Sequence, residues 1–178
     1  MSTRLSPHIL LSETLVSRSH PALLARPDSL TPQEVANLAL FAYVALEGVR
    51  AAWGVPLIAD RPDLSKPVDG YGVLTSVHRS AELNTAIGGS RTSDHMKGTA
   101  ADILPPYGMR STEAARLIVG AGVPHDQVIA YHPHHGGHVH IGWRPSGTNR
   151  GQLRAKARDG SYPMDAGALA RLDAEWPT

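Results

Sequence analysis

A long amphipathic helix near the N-terminus limits the folds open to this chain of 178 residues. Thr31, Pro32 and Glu34 form a helix-start pattern, because the threonine and glutamate side chains can bond to free backbone N–H groups and proline suits the first helical turn. Apolar residues then recur at spacings of three and four, and Gly54 ends the pattern. We therefore predict a helix over about residues 32–53 that buries one apolar face against a core.

Short segments with strand character follow this helix and are separated by glycine and proline. They predict strands at residues 55–58, 73–76, 126–131 and 138–143, with a loop over 59–72 and a hairpin from the last two strands. Two shorter helices are predicted, one opening with a cap at Ser111 and one over about residues 164–175. A single helical turn is predicted near residues 12–15.

The composition is that of an ordinary folded chain, with 42% hydrophobic and 19% charged residues. A chain of this length buries roughly two-thirds of its unfolded surface in one domain. We expect an α+β fold in which a small, mostly antiparallel sheet packs against helices. The expected domain covers residues 1–145, with an irregular wrap over 1–30 and a basic extension over 146–178.

Charge and cysteine content narrow the classes of function. The net charge is +1 and the basic residues form no run, so we expect no nucleic-acid partner. No window reads as a signal peptide or approaches ~18 consecutive apolar residues, so we expect no membrane partner. Because the chain has no cysteine, any metal must be bound by His, Asp or Glu.

Histidine is enriched in one part of the chain: six of the ten histidines fall within residues 125–140. On the predicted strand there, His138 and His140 share one face, whereas Val139 and Ile141 share the other. This alternation predicts a polar site on one side of the strand and core on the other. A solvated loop or an adventitious metal-binding run is the alternative reading of the same cluster.

A second pair of ligand-type residues, His95 and Asp102, lies around the turn-forming residue Gly98. In strand geometry Asp102 and Ala100 face the same way, so Asp102 points towards the group that His95 contacts. Surface polarity or a local hydrogen bond is the alternative for such a pair. Two imidazoles and one carboxylate would leave a fourth zinc position open, as in catalytic sites.

The segment Ser93–Asp102, with the pattern Ser-x-His-x-x-Gly-x-Ala-x-Asp, is followed further along by His138-Val139-His140. This combination resembles the zinc D-alanyl-D-alanine carboxypeptidase family and its phage-endolysin relatives of the L-alanyl-D-glutamate peptidase type. Segments 76–84 and 126–129 also resemble that family, in the same order along the chain. The resemblance covers roughly residues 5–143 and implies the hedgehog-type fold.

The resemblance implies a zinc ion bound by His95, Asp102 and His140, and a peptide hydrolase acting on peptidoglycan. The substrate would be a stem or cross-link peptide, cleaved by D,D- or L,D-carboxypeptidase or endopeptidase action. The resemblance also implies that Arg79 orients the substrate, since a planar guanidinium can bind a carboxylate or a developing oxyanion. A solvent-exposed turn arginine is the alternative. Ser93 is expected to form a supporting hydrogen bond near the metal.

The general base departs from the family pattern. Family members commonly carry a glutamate or aspartate three residues before the last zinc histidine, whereas this chain has Gly137. A further glutamate that is often found is replaced by Tyr131. Because an imidazole can carry a proton near neutral pH, His138 is the predicted base and His135 is the second candidate. Alternatively, His138 merely packs, and the domain binds zinc but cleaves poorly.

A non-catalytic role is the competing hypothesis: a structural or wall-binding component of a phage or phage-like particle. The missing carboxylate at Gly137, the basic tail and the loop over 59–72 favour it. A virion-bound peptidase, with virion or tail proteins as partners, would satisfy both readings. We expect a protein without a signal peptide that stays cytoplasmic until release or assembly and then acts at the cell wall.

Overall fold

The computed structural model describes residues 3–17, 20–60, 67–165 and 167–176. Its centre is one six-stranded mixed sheet with the strand order β1-β2-β3-β5-β4-β6. The strands are β1 (Leu57–Ala59), β2 (Gly72–Ser76), β3 (Ala100–Leu104), β4 (Gln127–Tyr131), β5 (Val139–Gly142) and β6 (Gln152–Lys156). The pairs β2–β3, β3–β5 and β4–β5 are antiparallel, whereas β1–β2 and β4–β6 are parallel. The predicted α+β class and the β4–β5 hairpin are confirmed.

Helices cover the sheet and fill the connections. The α-helices are α1 (Pro32–Phe41), α2 (Glu47–Trp53), α3 (Ala81–Ala86), α4 (Ser111–Gly120) and α5 (Ala168–Ala174). Short 3-10 turns lie at Leu11–Thr14, Pro21–Leu23, Pro27–Ser29, Asp94–Lys97 and Pro133–His135. The helical turn predicted near residues 12–15 and the final helix predicted over 164–175 are confirmed.

The predicted long helix over 32–53 is confirmed as α1 and α2 joined by a π-helical turn at Ala42–Leu46. Thr31 Oγ1 accepts from the Glu34 backbone N–H at 3.2 Å, and a Glu34 carboxylate oxygen accepts from the Thr31 N–H at 2.7 Å. The reciprocal bonds satisfy two donors at the helix start. Gly54 ends the helix with φ +68°, a backbone conformation that glycine adopts without strain.

The π turn matches the spacing of the residues that this helix buries. They recur about every four positions, and in an α-helix of 3.6 residues per turn such a row drifts by about 40° at each step. A π turn holds more residues per turn and so takes up part of the drift. The buried residues of the row are Asn37, Leu38, Phe41, Ala42, Ala45, Leu46, Val49 and Trp53.

The 22-residue helix Pro32–Trp53, with a mean hydropathy of 1.4, is long and apolar enough to cross a membrane by length and composition alone. Its apolar residues Leu38, Phe41 and Leu46 are completely buried within the hydrophobic core. Core helices of folded domains pass the same test of length and composition, and this helix packs its apolar face against the core.

The core lies between these helices and one face of the sheet. Ala101 and Ile103 of β3, and Val139 and Ile141 of β5, are fully buried there. Because side chains alternate along a strand, the residues between them face the other way. The predicted division of β5 into a core face and a polar face, with His140 on the latter, is therefore confirmed.

Three features differ from the sequence predictions. No pattern predicted β6, which pairs in parallel with β4, nor the short helix α3 that Ser80 caps. Ser111 does not cap α4: Arg110 occupies the cap position, and the Ser111 hydroxyl donates to the backbone oxygen of Tyr131 at 2.8 Å. In the loop predicted over 59–72, residues 61–66 lie outside the described part of the chain.

Candidate metal centre and active-site cavity

Strand register brings the predicted ligands together. Asp102 of β3 lies opposite His140 of β5, His140 lies opposite Ile129 of β4, and Ile129 lies opposite Arg154 of β6. Side chains of directly paired residues project from the same face of a sheet. The four residues therefore form one row across the face that is opposite the helical core. We call this face the site face.

His95 reaches the row from the 3-10 turn Asp94–Lys97, just before β3. Gly98 ends that turn with φ +70°, and a Cβ placed on it would lie 2.7 Å from Cγ of Leu38. Only glycine therefore fits this turn. The Nδ1 atom of His95 bonds to the backbone oxygen of Val77 at 2.8 Å, which orients the ring so that Nε2 faces Asp102.

The spacing of the three donor atoms fits a tetrahedral metal ion. Nε2 of His95 lies 3.3 Å from Nδ1 of His140 and 3.4 Å from Oδ1 of Asp102. Zinc ligands at about 2.0–2.1 Å lie about 3.3 Å apart at tetrahedral angles. The third separation, between Nδ1 of His140 and Oδ1 of Asp102, is shorter at 2.8 Å. All three residues are buried, and together they are a group that could hold a metal.

Electrostatics favour the metal-binding forms of these side chains. Burial lowers the pKa of His95, so its ring is neutral and able to donate a lone pair at neutral pH. Burial alone would raise the pKa of Asp102, but the neighbouring imidazoles of His95 and His140 outweigh it and hold that pKa well below its usual range. The centre thus presents a carboxylate and imidazoles.

Arg79 is brought to the site, and it contacts a metal ligand directly. Its Nη2 donates to Oδ2 of Asp102, and its Nε donates to the hydroxyl of Ser76 at 2.7 Å. The Arg79 side chain is 13% exposed and lines the cavity. Arg79 is therefore positioned to fix Asp102 as well as to face the cavity, whereas the sequence pointed only to a role in substrate binding.

His138 lies beside the centre, one residue before β5 begins. Its Nε2 is 3.9 Å from Oδ1 of Asp102, and its ring stacks on Tyr131 with centroids 4.0 Å apart. Burial lowers the pKa of His138. His135, the second candidate base, is not among the described residues that line the cavity; its Nε2 lies 3.0 Å from the backbone oxygen of Arg158.

An open cavity of about 1000 Å³ lies over the centre. Besides Asp102, Asp94 is the one carboxylate that lines it among the described residues, and Asp94 is paired with Lys97 at 2.9 Å. Ser93 also lines the cavity, but its hydroxyl makes no hydrogen bond to another described residue. The supporting bond expected from Ser93 therefore stays a prediction.

Two parts of the cavity were not found from the sequence. Gln127 reaches within 3.5 Å of Nε2 of His140 from the neighbouring strand β4. Tyr162, which follows β6, packs edge-on against Tyr131 with centroids 6.4 Å apart. The sequence of β4 indicated a position for Gln127, because side chains alternate along a strand and residues 127, 129 and 131 therefore lie on one face. Nothing local to Tyr162 indicated a place in the site.

A comparison with known protein families agrees with this geometry. A sequence model described as peptidase M15 matches residues 28–142, which include α1, the three donor residues and Arg79. No curated protein matches the chain. Because the matched segment covers more than half of the chain and carries the His-Asp-His group, the chain belongs to the peptidase M15 family of zinc metallopeptidases.

Proposed function

We propose that this protein hydrolyses peptide bonds in the stem or cross-link peptides of peptidoglycan, as a carboxypeptidase or an endopeptidase. The observation that carries the proposal is the set of three buried donor atoms, 2.8–3.4 Å apart, at the base of an open cavity of about 1000 Å³. A closed structural zinc site uses four protein ligands, whereas three leave a position for catalysis.

Zinc bound by His95, Asp102 and His140 would act as a Lewis acid that polarises a peptide carbonyl, and it would lower the pKa of a water molecule to about 7. The residues of the chain supply the remaining functions. The protein backbone holds His95 through the oxygen of Val77, and Arg79 holds the second carboxylate oxygen of Asp102. These contacts fix the donors before the metal arrives, which favours a defined coordination geometry.

Arg79 is also proposed to bind the substrate. Its Nη2 and Nε are occupied by Asp102 and Ser76, whereas its Nη1 makes no hydrogen bond to another described residue. A permanently charged donor beside the centre suits a peptide carboxylate or the oxyanion that develops during hydrolysis.

His138 is the proposed proton carrier. It stands 3.9 Å from the ligand oxygen of Asp102, and stacking on Tyr131 holds its ring in place. The alternatives within the cavity are weaker, because Asp94 is paired with Lys97. A base must lie within hydrogen-bond reach of its proton, directly or through one water, and the 3.9 Å separation between His138 and Asp102 supports such a reach at the metal centre.

The competing function is that of a non-catalytic, zinc-retaining component of a phage-like particle. The conformation of Gly137 favours it: with φ +63°, this position disfavours the glutamate or aspartate expected as base.

We propose that the protein reaches the cell wall after release from the cell or within a particle. The resemblance of Ser93–Asp102 to phage endolysins supports this route.

Digestion of purified cell walls tests the proposed function. The zinc-loaded chain is incubated with Gram-positive and Gram-negative walls, with and without a chelator, and released amino groups and peptides are identified by mass spectrometry. We expect peptide release that the chelator and His140→Ala abolish. Absence of hydrolysis on every wall, with one zinc bound per chain, would contradict the proposal and support the particle component.

A further inference from the structure

The segment beyond β5 forms one wall of the cavity although it lies outside the family match, which ends at residue 142. Seven of its described residues line the cavity, and three of these, Arg144, Arg150 and Arg154, are arginines. We call Arg144, Arg150 and Arg154 the arginine wall.

A buried carboxylate fixes two of these arginines. The Asp126 side chain is 0% exposed, and its oxygens accept from Nε of Arg150 at 3.0 and 3.1 Å and from the Arg150 backbone N–H at 3.0 Å. Nε of Arg144 lies 3.1 Å from the same carboxylate. Both arginines remain more than two-fifths exposed. Asp126 therefore holds their inner edges, and one carboxylate cannot neutralise two guanidinium groups.

Arg154 lies in the same row as the metal ligands. It pairs with Ile129, which pairs with His140, so two strand spacings separate Arg154 from the ligand. Two spacings amount to about 10 Å, a distance that about three residues of extended peptide cover. Between them Ile129, which also lines the cavity, provides an apolar floor.

The guanidinium of Arg154 is held in position, and one of its donors has no partner among the described residues. It lies 5.4 Å from the ring centre of Tyr162, and Nη2 is 3.5 Å from the backbone oxygen of that residue. Its Nε is buried and has no hydrogen-bond partner within the described part of the chain. Because no described carboxylate pairs with this guanidinium, a ligand carboxylate that reaches it from the cavity would be favoured.

The side chains that line the cavity carry a net positive charge. Among the described residues that line it, the cations are Arg79, Lys97 and the arginine wall, and the anions are Asp94 and Asp102. Arg79 and Lys97 are each paired with one of these acids. The positive charge left for a ligand is therefore that of the arginine wall, less the one charge that Asp126 balances.

We propose that the arginine wall binds a free carboxylate of the substrate within about three residues of the cleaved bond, so that the enzyme selects acidic stem peptides. This subsite rests on the proposed function. It is separate from Arg79, which lies at the opposite end of the row beside Asp102.

The test compares two synthetic stem peptides that differ in one charge. Both contain a γ-linked D-glutamyl residue, whose α-carboxylate is free in one peptide and amidated in the other. We expect the zinc-loaded chain to cleave the acidic peptide with kcat/KM about 10-fold higher or more, the scale of a charge-assisted hydrogen bond. Arg154→Gln should reduce this ratio towards one. Arg144→Gln, a change at an exposed side chain, should reduce it too.

Arg158→Gln is the control, because Arg158 is an exposed arginine of the same segment that is absent from the cavity lining. It should keep the parental ratio. Equal cleavage of the two peptides by the parent would overturn the subsite and leave the proposed function intact. The subsite would also be overturned if Arg154→Gln and Arg144→Gln kept the parental ratio of kcat/KM for the two peptides, as the control does.

If the parent cleaves neither peptide and no wall, the proposed function fails, and calorimetric titration of both peptides into the zinc-loaded chain tests the subsite separately. Tighter binding of the acidic peptide that Arg154→Gln abolishes would support it. Equal binding of the two peptides would overturn it.

Discussion

The two oxygens of Asp102 have different partners, and this division defines the site at the scale of single residues. Oδ1 faces both imidazoles, whereas Oδ2 accepts from Arg79. A carboxylate held at one oxygen presents the other at a fixed angle to a metal. Arg79 therefore acts on the metal site through Asp102, and its loss should affect more than substrate binding.

Arg79→Lys tests this double role. A lysine ammonium is a point charge and cannot reach both Ser76 Oγ and Asp102 Oδ2 with a planar fork. We expect kcat/KM to fall by about 10-fold or more, with one zinc still bound per chain but with weaker affinity in competition with a chelator. Arg91→Lys, an exposed change nearby, is the control. Parental kinetics and zinc affinity would show that the contacts of Arg79 with Ser76 and Asp102 support neither the metal site nor catalysis.

His138→Ala tests the proton carrier. Loss of a general base typically costs about 10²-fold in turnover, and we expect that loss while zinc stays bound, since His138 is not one of the three donors. The control is His134→Ala, because His134 is an exposed histidine of the same loop that does not line the cavity. Turnover and metal content are measured together. Parental turnover of His138→Ala on wall peptides would exclude His138 as the base.

At the scale of elements, the long helix and the β4–β5 hairpin were predictable because their signals are local. Thr31 and Glu34 cap the helix, and the alternation of His140 with its apolar neighbours marks β5 of the hairpin. β6 was not predictable, because only Leu153 and Ala155 mark its core face and its pairing partner is distant in sequence. The arginine wall could not be predicted either, because its three arginines line the same cavity only after β6 pairs with β4.

The turn that carries His95 is sensitive to a small change at Gly98. Gly98→Ala places a residue at φ +70° and a Cβ 2.7 Å from Leu38, a position fixed by α1. The left-handed conformation costs about 1–2 kcal/mol, and overpacking costs about 1–3 kcal/mol more. We expect a loss of unfolding free energy of this order in urea, together with weaker zinc binding, because the turn positions His95.

Gly54→Ala separates the two costs. Gly54 has nearly the same φ, +68°, but a Cβ there meets no atom of the described residues within 4 Å. This variant should show the conformational cost alone and keep the parental zinc affinity. If both variants lose the same stability, the contact between Gly98 and Leu38 does not limit the turn.

At the scale of the whole molecule, the buried Asp126 joins the last strands to the cavity. Its backbone N–H donates to Gly142 of β5, and its backbone oxygen accepts from Gln152 of β6. The side chain holds Arg144 and Arg150. One residue thus couples the sheet, the connection from β5 to β6 and the arginine wall, so its ionisation should affect the stability of the entire domain.

Asp126 should contribute to a loss of stability in acid. Burial alone would raise its pKa, but hydrogen bonds and charge from Arg150 and Arg144 outweigh burial and lower it. The folded pKa thus lies below the unfolded value of about 3.9, so the stabilisation is complete above that value and is lost as pH falls through the folded pKa. Urea unfolding from pH 7 to pH 3 should show Asp126→Asn about 1–3 kcal/mol less stable at pH 7, with the difference shrinking below about pH 4. Asp28→Asn, a change at an exposed ion pair, is the control and should keep the stability of the parent at each pH. If the difference in unfolding free energy between Asp126→Asn and the parent stays constant across this range, the charge of the carboxylate contributes nothing to stability.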